Sequence, residues 1–188
     1  RFAPDTPGRA VGHLGFEDGI SQPKMDGSRE YDGQEEHPLR PPRPEQAKLG
    51  DVLIGHQSKL DPEGMFAPVD TPLRDGSFQV IRKLRINRKI FHDAAASVAD
   101  KDLPIALVKA KMLGRWQDGT PLTKAAASET DFNHIGDDHG TQTPLQSHVR
   151  RTNPREAKTP RILRRGFSYG PYDGPDDADR GLMFICYN

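Results

Sequence analysis

Apolar residues fall in a few short clusters along this chain, separated by polar stretches rich in proline and glycine. Residues 1–50 show little periodicity. After Asp18 and Gly19 come Pro23, Gly27, Gly33, Pro38, Pro41, Pro42 and Pro44, a density that fixes φ, removes donors and predicts loop. The run Asp51, Val52, Leu53, Ile54, Gly55 reads as a short apolar strand, and residues 56–76 return to turns. A second strand is predicted from Phe78 to Leu84, with Phe78, Val80 and Ile81 as its apolar part. Asn87 suits the N-cap of a helix carrying Ile90, Phe91, Ala94, Ala95 and Val98. Pro104 suits the start of a second helix with Ile105, Leu107, Val108, Ala110 and Met112 on its apolar side, and Gly114 suits its stop. Residues 115–147 hold Trp116 and Asp-rich turns, and residues 148–158 are polar and basic. Arg161–Tyr169 and Gly181–Tyr187 read as two more strands. No internal repeat is present. The order of strands, helices and strands predicts an α+β fold with a mostly antiparallel sheet.

Composition changes this picture in two ways. With 188 residues there is room for one domain with a core, but only 34% are hydrophobic, with 17 Pro and 18 Gly, so the fold is expected to be loop-rich. Lys plus Arg and Asp plus Glu balance at 27 each, which removes any net field toward nucleic acid or an anionic membrane. No apolar run reaches the length of a membrane-spanning helix, and no secretory leader pattern is visible. The single cysteine, Cys186, excludes an internal disulfide and reads as a small buried hydrophobe. A buried strand that meets the end of the chain, together with a first residue that is not Met, predicts a portion of a longer protein.

Candidate chemistry rests on few residues. Asp18, followed by Gly19 between Phe16 and Ile20, is a tight-turn signal. The turn is the reading the motif alone favours; the functional reading is a carboxylate that glycines would let approach a ligand closely for acid–base work. His148 is followed by Arg150, Arg151 and Arg155. Either this is a solvated basic loop, or one segment supplies a haem-iron ligand and cations for the haem propionates. Arg164 and Arg165 lie in a strand-like stretch, where alternation sends them to opposite faces. One would then face a pocket, or both heads reach water from an edge strand. The set His134, Asp137, Asp138 and His139 fits no strong metal spacing and reads as a solvated loop. The run Arg82, Lys83, Arg85, Arg88, Lys89 reads as a solvated surface rather than a nucleic-acid face. There is no nucleophile elbow, P-loop or dinucleotide-binding glycine motif.

Taken together, the blocks resemble a known family. Gly15, Asp18 and Gly19, continued by Ile20, Ser21, Gln22 and Pro23, resemble the GxxDG signature of dye-decolourising peroxidases in its fungal form. Residues 78–84, 111–122, 148–155, 164–170 and 181–187 are similar to that family's later blocks, in the same order. Where the family often has Cys-Pro before its histidine, this chain has Thr143 and Pro144.

The resemblance implies a ferredoxin-like α+β fold of the dimeric α/β-barrel type, incomplete here. Residues 1–50 would be the GxxDG loop region linking two halves, and residues 51–188 an incomplete C-terminal haem-binding domain. Most of the first half and the extreme C-terminus would be absent. It implies haem b, with His148 as the iron ligand and Arg150, Arg151 and Arg155 near the propionates. Leu182 and Phe184 would wall the pocket. Asp18 would move a proton between the oxygens of hydrogen peroxide, and Arg164 would stabilise the separating oxyanion. Tyr169 matches a surface tyrosine implicated in electron transfer from bulky dyes, and Trp116 is a further candidate on its chemistry. The implied partners are peroxide and aromatic dye or phenolic reductants, with no nucleic acid and no membrane. A separate chain or a second copy would supply the missing half. Rival readings are a haem-handling protein without efficient turnover and an inactive fragment needing a partner. The implied location is extracellular.

Overall fold

In the computed structural model, residues 11–18, 24–25, 46–58, 72–123, 134, 136–154 and 162–187 are described. They include β1 (Lys24–Met25), β2 (Gln46–Ala47), a single 3-10 turn (Leu49–Asp51), β3 (Gln79–Arg85), α1 (Arg88–Ala96), α2 (Ile105–Leu113), α3 (His148–Thr152), β4 (Leu163–Arg164), β5 (Phe167–Tyr169) and β6 (Gly181–Tyr187). The chain divides into two units, each built from discontinuous segments. The first takes residues 1–21, 82–155 and 166–184, and the second residues 22–81, 156–165 and 185–188.

The sheet forms around β6, whose unbroken apolar run over residues 182–187 calls for neighbours on both edges. β6 is central, between β3 and β4, and β5 also pairs with it. Phe167 lies opposite Met183 and Tyr169 opposite Gly181, antiparallel. Arg164 lies opposite Cys186, again antiparallel and in the same register. Along β3, Gln79 Nε2 donates to Tyr187 Oη at one end, and Ile86 N donates to Arg180 O at the other. These two strands therefore also run antiparallel. Cys186 is buried, as expected.

In the first unit, the Asn87 side chain accepts from Ile90 N at 2.9 Å and opens α1. Gly114 closes α2 in the left-handed region at φ 89°. α1 packs on α2, with Ala95, Val108 and Ala110 buried. These small side chains let the helices approach closely, but they make a thin core.

In the second unit, residues 51–55 are not a strand. Lys48 N donates to Asp51 Oδ2 at 3.2 Å, Gly50 N donates to Gln57 O at 2.8 Å, and Gly55 has φ 85°. A local side-chain acceptor and a left-handed glycine bend the run into a closed turn, against the extended ladder its composition suggested. β1 and β2 pair in parallel. Among the described residues, no helix is long and apolar enough to cross a membrane.

Candidate functional site

His148 opens α3, a helix of five residues where sequence patterning shows only a polar basic segment. So short a helix gains little from its own hydrogen bonds, and two neighbours hold it. One is the end of α2. A Cβ on Gly114 would lie 3.0 Å from Ser147 Oγ and 3.1 Å from Val149 Cβ, so glycine is required there for approach as well as for φ. The other is Asp137, which is 3% exposed. Its carboxylate accepts from Thr141 Oγ1 (3.0 Å), Gln142 N (3.0 Å), Thr143 N (2.8 Å) and Arg150 Nη1 (3.1 Å). Arg150 Nη1 also donates to Thr143 O at 2.9 Å.

Burial alone pushes the Asp137 carboxyl up, but the bonds from Gln142, Thr143 and Thr141 and the Arg150 charge outweigh it. The group is held at about 2. His134, also buried, is pushed down by burial and then by the charge of Arg150, while Asp137 opposes the shift. The expected solvated loop is therefore corrected: Asp138 and His139 are exposed, whereas His134 and Asp137 are interior. No cluster of three or more metal-ligating side chains occurs among the described residues.

Asp18 is exposed and follows a turn over residues 12–16. Gly12 N donates to Phe16 O and Gly15 N to Gly12 O, each at 2.9 Å, with Gly15 at φ 83° and Val11 bridged to Glu17. Three ties fix this turn. His13 Nε2 donates to Tyr169 O at 2.8 Å; a carbonyl only accepts, so Nε2 carries the proton. Phe16 meets Phe91 edge-on, with centroids 6.3 Å apart. Glu17 N donates to Gln117 O at 2.8 Å.

That last bond joins Asp18 to the same stretch that supports His148. Gly114 leaves no room for a Cβ beside Ser147, the residue before His148, and Gln117 accepts from Glu17, the residue before Asp18. Between them, Arg115 bridges to Pro121, Trp116 N donates to Thr120 O, and Thr120 N donates to Asp118 Oδ1. This hairpin, carrying exposed Trp116, is the link that the sequence reading did not find. Its signal was the turn-forming Asp118 and Gly119, shortly after the glycine stop of α2 at Gly114.

The remaining residues are placed as follows. Arg151 is exposed; the Arg150 side chain is 13% exposed with its Nη1 engaged as above. Alternation puts Leu182 and Phe184 on one face of β6, both half-buried. Tyr169 is half-buried, its hydroxyl donates to Asp179 Oδ1 at 3.3 Å, and Lys83 Nζ stands 4.7 Å from its ring. In the second unit, Arg164 is half-buried and Arg165 exposed. Arg155 and residues 19–23 lie outside the described residues.

Residues 55–188 match the family described as Dyp-type peroxidase, C-terminal. The chain belongs to the Dyp-type peroxidases. It is 30% identical to the multifunctional dye peroxidase DyP2 of Amycolatopsis sp., over 96% of this chain and 43% of that protein. It is 28% identical to Peroxidase 2 of Mycetinis scorodonius, over 93% of this chain and 38% of that protein. Among solved structures, an ancestral D-type dye decolorizing peroxidase aligns with a TM-score of 0.73 and 26% identity, over all of this chain and 45% of its own. The Dyp-type peroxidase of Anabaena sp. aligns at 0.70 and 28%, over 99% and 42%. This Dyp-type chain therefore spans less than half the length of these relatives. The likeness establishes the expected ferredoxin-like α+β fold. The relatives are bacterial as well as fungal, so it does not single out the fungal form.

Proposed function

We propose that this chain is the haem-binding half of a peroxidase that reduces hydrogen peroxide and oxidises dyes and phenolics. The observation that carries the reading is the segment from Gly114 to Gln117, which packs closely beside Ser147 and Val149, the neighbours of His148, and accepts from Glu17, the neighbour of Asp18. In this reading one stretch of chain lies beside the neighbours of both the iron ligand and the acid–base carboxylate. The residues fit the cofactor. His148 and Arg151 are both exposed and stand three apart on α3, hence on one helical face. That pairs an imidazole with a cation for a propionate. The haem b group, when bound, supplies the electrons that peroxide takes up.

The chain's own residues do the rest. The Asp18 carboxylate takes a proton from one peroxide oxygen and returns it to the other, which leaves as water. The Arg164 guanidinium stabilises the negative charge that develops on the departing oxygen. Leu182 and Phe184 exclude bulk water, and Arg151 and Arg155 pair with the propionates. Arg150, engaged by Asp137, is assigned to holding α3 rather than to the propionates. Tyr169 and Trp116 pass electrons from reductants too large to enter. In this reading residues 51–188 form the haem-binding domain, and the match to residues 55–188 supports that boundary. The haem-handling alternative is not favoured, because the relatives matched along nearly the whole chain are named as peroxidases.

Peroxide-dependent bleaching of an anthraquinone dye by the haem-loaded protein tests this. Asp18→Asn is expected to reduce the rate about 100-fold or more while haem stays bound, as loss of a general acid–base does. Undiminished bleaching in that variant would remove Asp18 from the mechanism.

A further inference from the structure

We infer that Asp137 is a positioning residue for the iron ligand: through Arg150 it fixes the orientation in which α3 presents His148. The inference rests on His148 being that ligand. Asp137 is nearly inaccessible, and every bond onto it comes from one short stretch or from α3. Thr141, Gln142 and Thr143 wrap the carboxylate from the loop, and Arg150 reaches it from the helix. Arg150 is two residues beyond His148. Its Nη1 spans from the carboxylate to Thr143 O, so helix and loop are clamped at two points by one planar group.

The clamp has a specific consequence. Gly114 lies so close to the N-cap Ser147 and to Val149, on either side of the ligand, that a Cβ there would crowd both, and this close approach blocks translation toward α2. It supplies no polar group that would stop α3 from rotating about its own axis. The Asp137–Arg150–Thr143 arrangement does, because a guanidinium shared by two acceptors tolerates little rotation. Rotation of a five-residue helix would swing the His148 imidazole, and ring orientation controls how a histidine binds iron. Asp137 therefore acts two steps from the metal, through Arg150 and the helix backbone. Neither His134, whose charged form Arg150 opposes, nor exposed Asp138 substitutes for it.

The test uses the haem-loaded full chain and two readouts. One is the iron–histidine stretching band in the resonance Raman spectrum of the reduced protein. The other is the half-time of haem transfer to apomyoglobin. Asp137→Asn keeps the size and removes the charge. It is expected to shift or broaden the band and to speed haem transfer about 10- to 100-fold, the range for outer-shell partners of metal ligands. Arg150→Gln is expected to do the same, and the double variant to add little, because both act through one clamp. Asp137→Glu should restore part of the wild-type band. If Asp137→Asn does not fold, as judged by circular dichroism, Arg150→Gln decides by the same readouts. A folded Asp137→Asn or Arg150→Gln protein with the wild-type band and transfer rate overturns the inference. His148→Ala separates the two readings. If it abolishes the band while Asp137→Asn leaves it unchanged, only the positioning role falls. If it leaves the band unchanged, the ligand assignment falls and the inference falls with it.

Discussion

Arg150 Nη1 lies 3.1 Å from Asp137 Oδ2, in an ion pair whose side chains are 13% and 3% exposed. Removing one member of such a pair strands the other without water. Asp137→Ala is expected to cost about 3–5 kcal/mol of stability, read as a lower denaturant midpoint at unchanged slope. A loss under about 1 kcal/mol is what an exposed pair gives and would show that the carboxylate is not buried in solution.

Asp137 also sets an acid limit. Its folded value, about 2, lies below the ordinary carboxyl range, so the unfolded chain binds its proton more readily. The contribution is complete above pH 4 and is lost as pH falls toward about 2. Acid unfolding of Asp137→Asn, followed by circular dichroism, should lack the part of the pH slope in that interval that wild type shows.

His134 gives a second, milder pH dependence. Its folded value lies below 6.5, so the buried neutral ring contributes above that pH and the contribution fades as pH falls below it. His134→Gln should flatten the loss of thermal stability between pH 7 and pH 5. An unchanged slope would assign that loss to other groups.

Gly114→Ala combines a left-handed φ of 89° with a Cβ 3.0 Å from Ser147 Oγ. It is expected to cost about 1–2 kcal/mol from the backbone alone and to weaken haem retention, because α3 must give way. Asn87→Ala is the contrast. It removes one cap and costs about 1 kcal/mol, with haem retention unchanged. Equal effects of the two on haem retention would mean that Gly114 acts only through global stability.

Much of the frame was legible in the sequence because local chemistry decides it. Asn87 and Gly114 mark helix ends by their own side-chain or backbone properties. The strand at 181–187 follows from its unbroken apolar run, and residues 161–169 read as a further strand, whose described part pairs with it in one register. What escaped was decided by distant contacts. The strand expected at 51–55 bends because Asp51 caps its own turn. α3 has no periodicity of its own and exists through Gly114 and Asp137, residues 34 and 11 positions before it. Asp137 was read as solvated because its four donors cannot be seen in a linear string. Of the proposed site, Asp18, His148 and Arg164 were singled out by residue type and context, and their roles came from the resemblance of the GxxDG-like and later blocks. The stretch from Gly114 into the hairpin at residues 115–121, which lies beside Ser147 and bonds Glu17, was not singled out.

The most direct measurement is the visible absorption spectrum of the purified chain loaded with haem, recorded for wild type and for His148→Ala. With His148 as the iron ligand, wild type shows a Soret band and the visible bands of a histidine-ligated five-coordinate ferric haem, and His148→Ala loses that pattern. Identical spectra from the two proteins, or a wild type that takes up no haem, would contradict it.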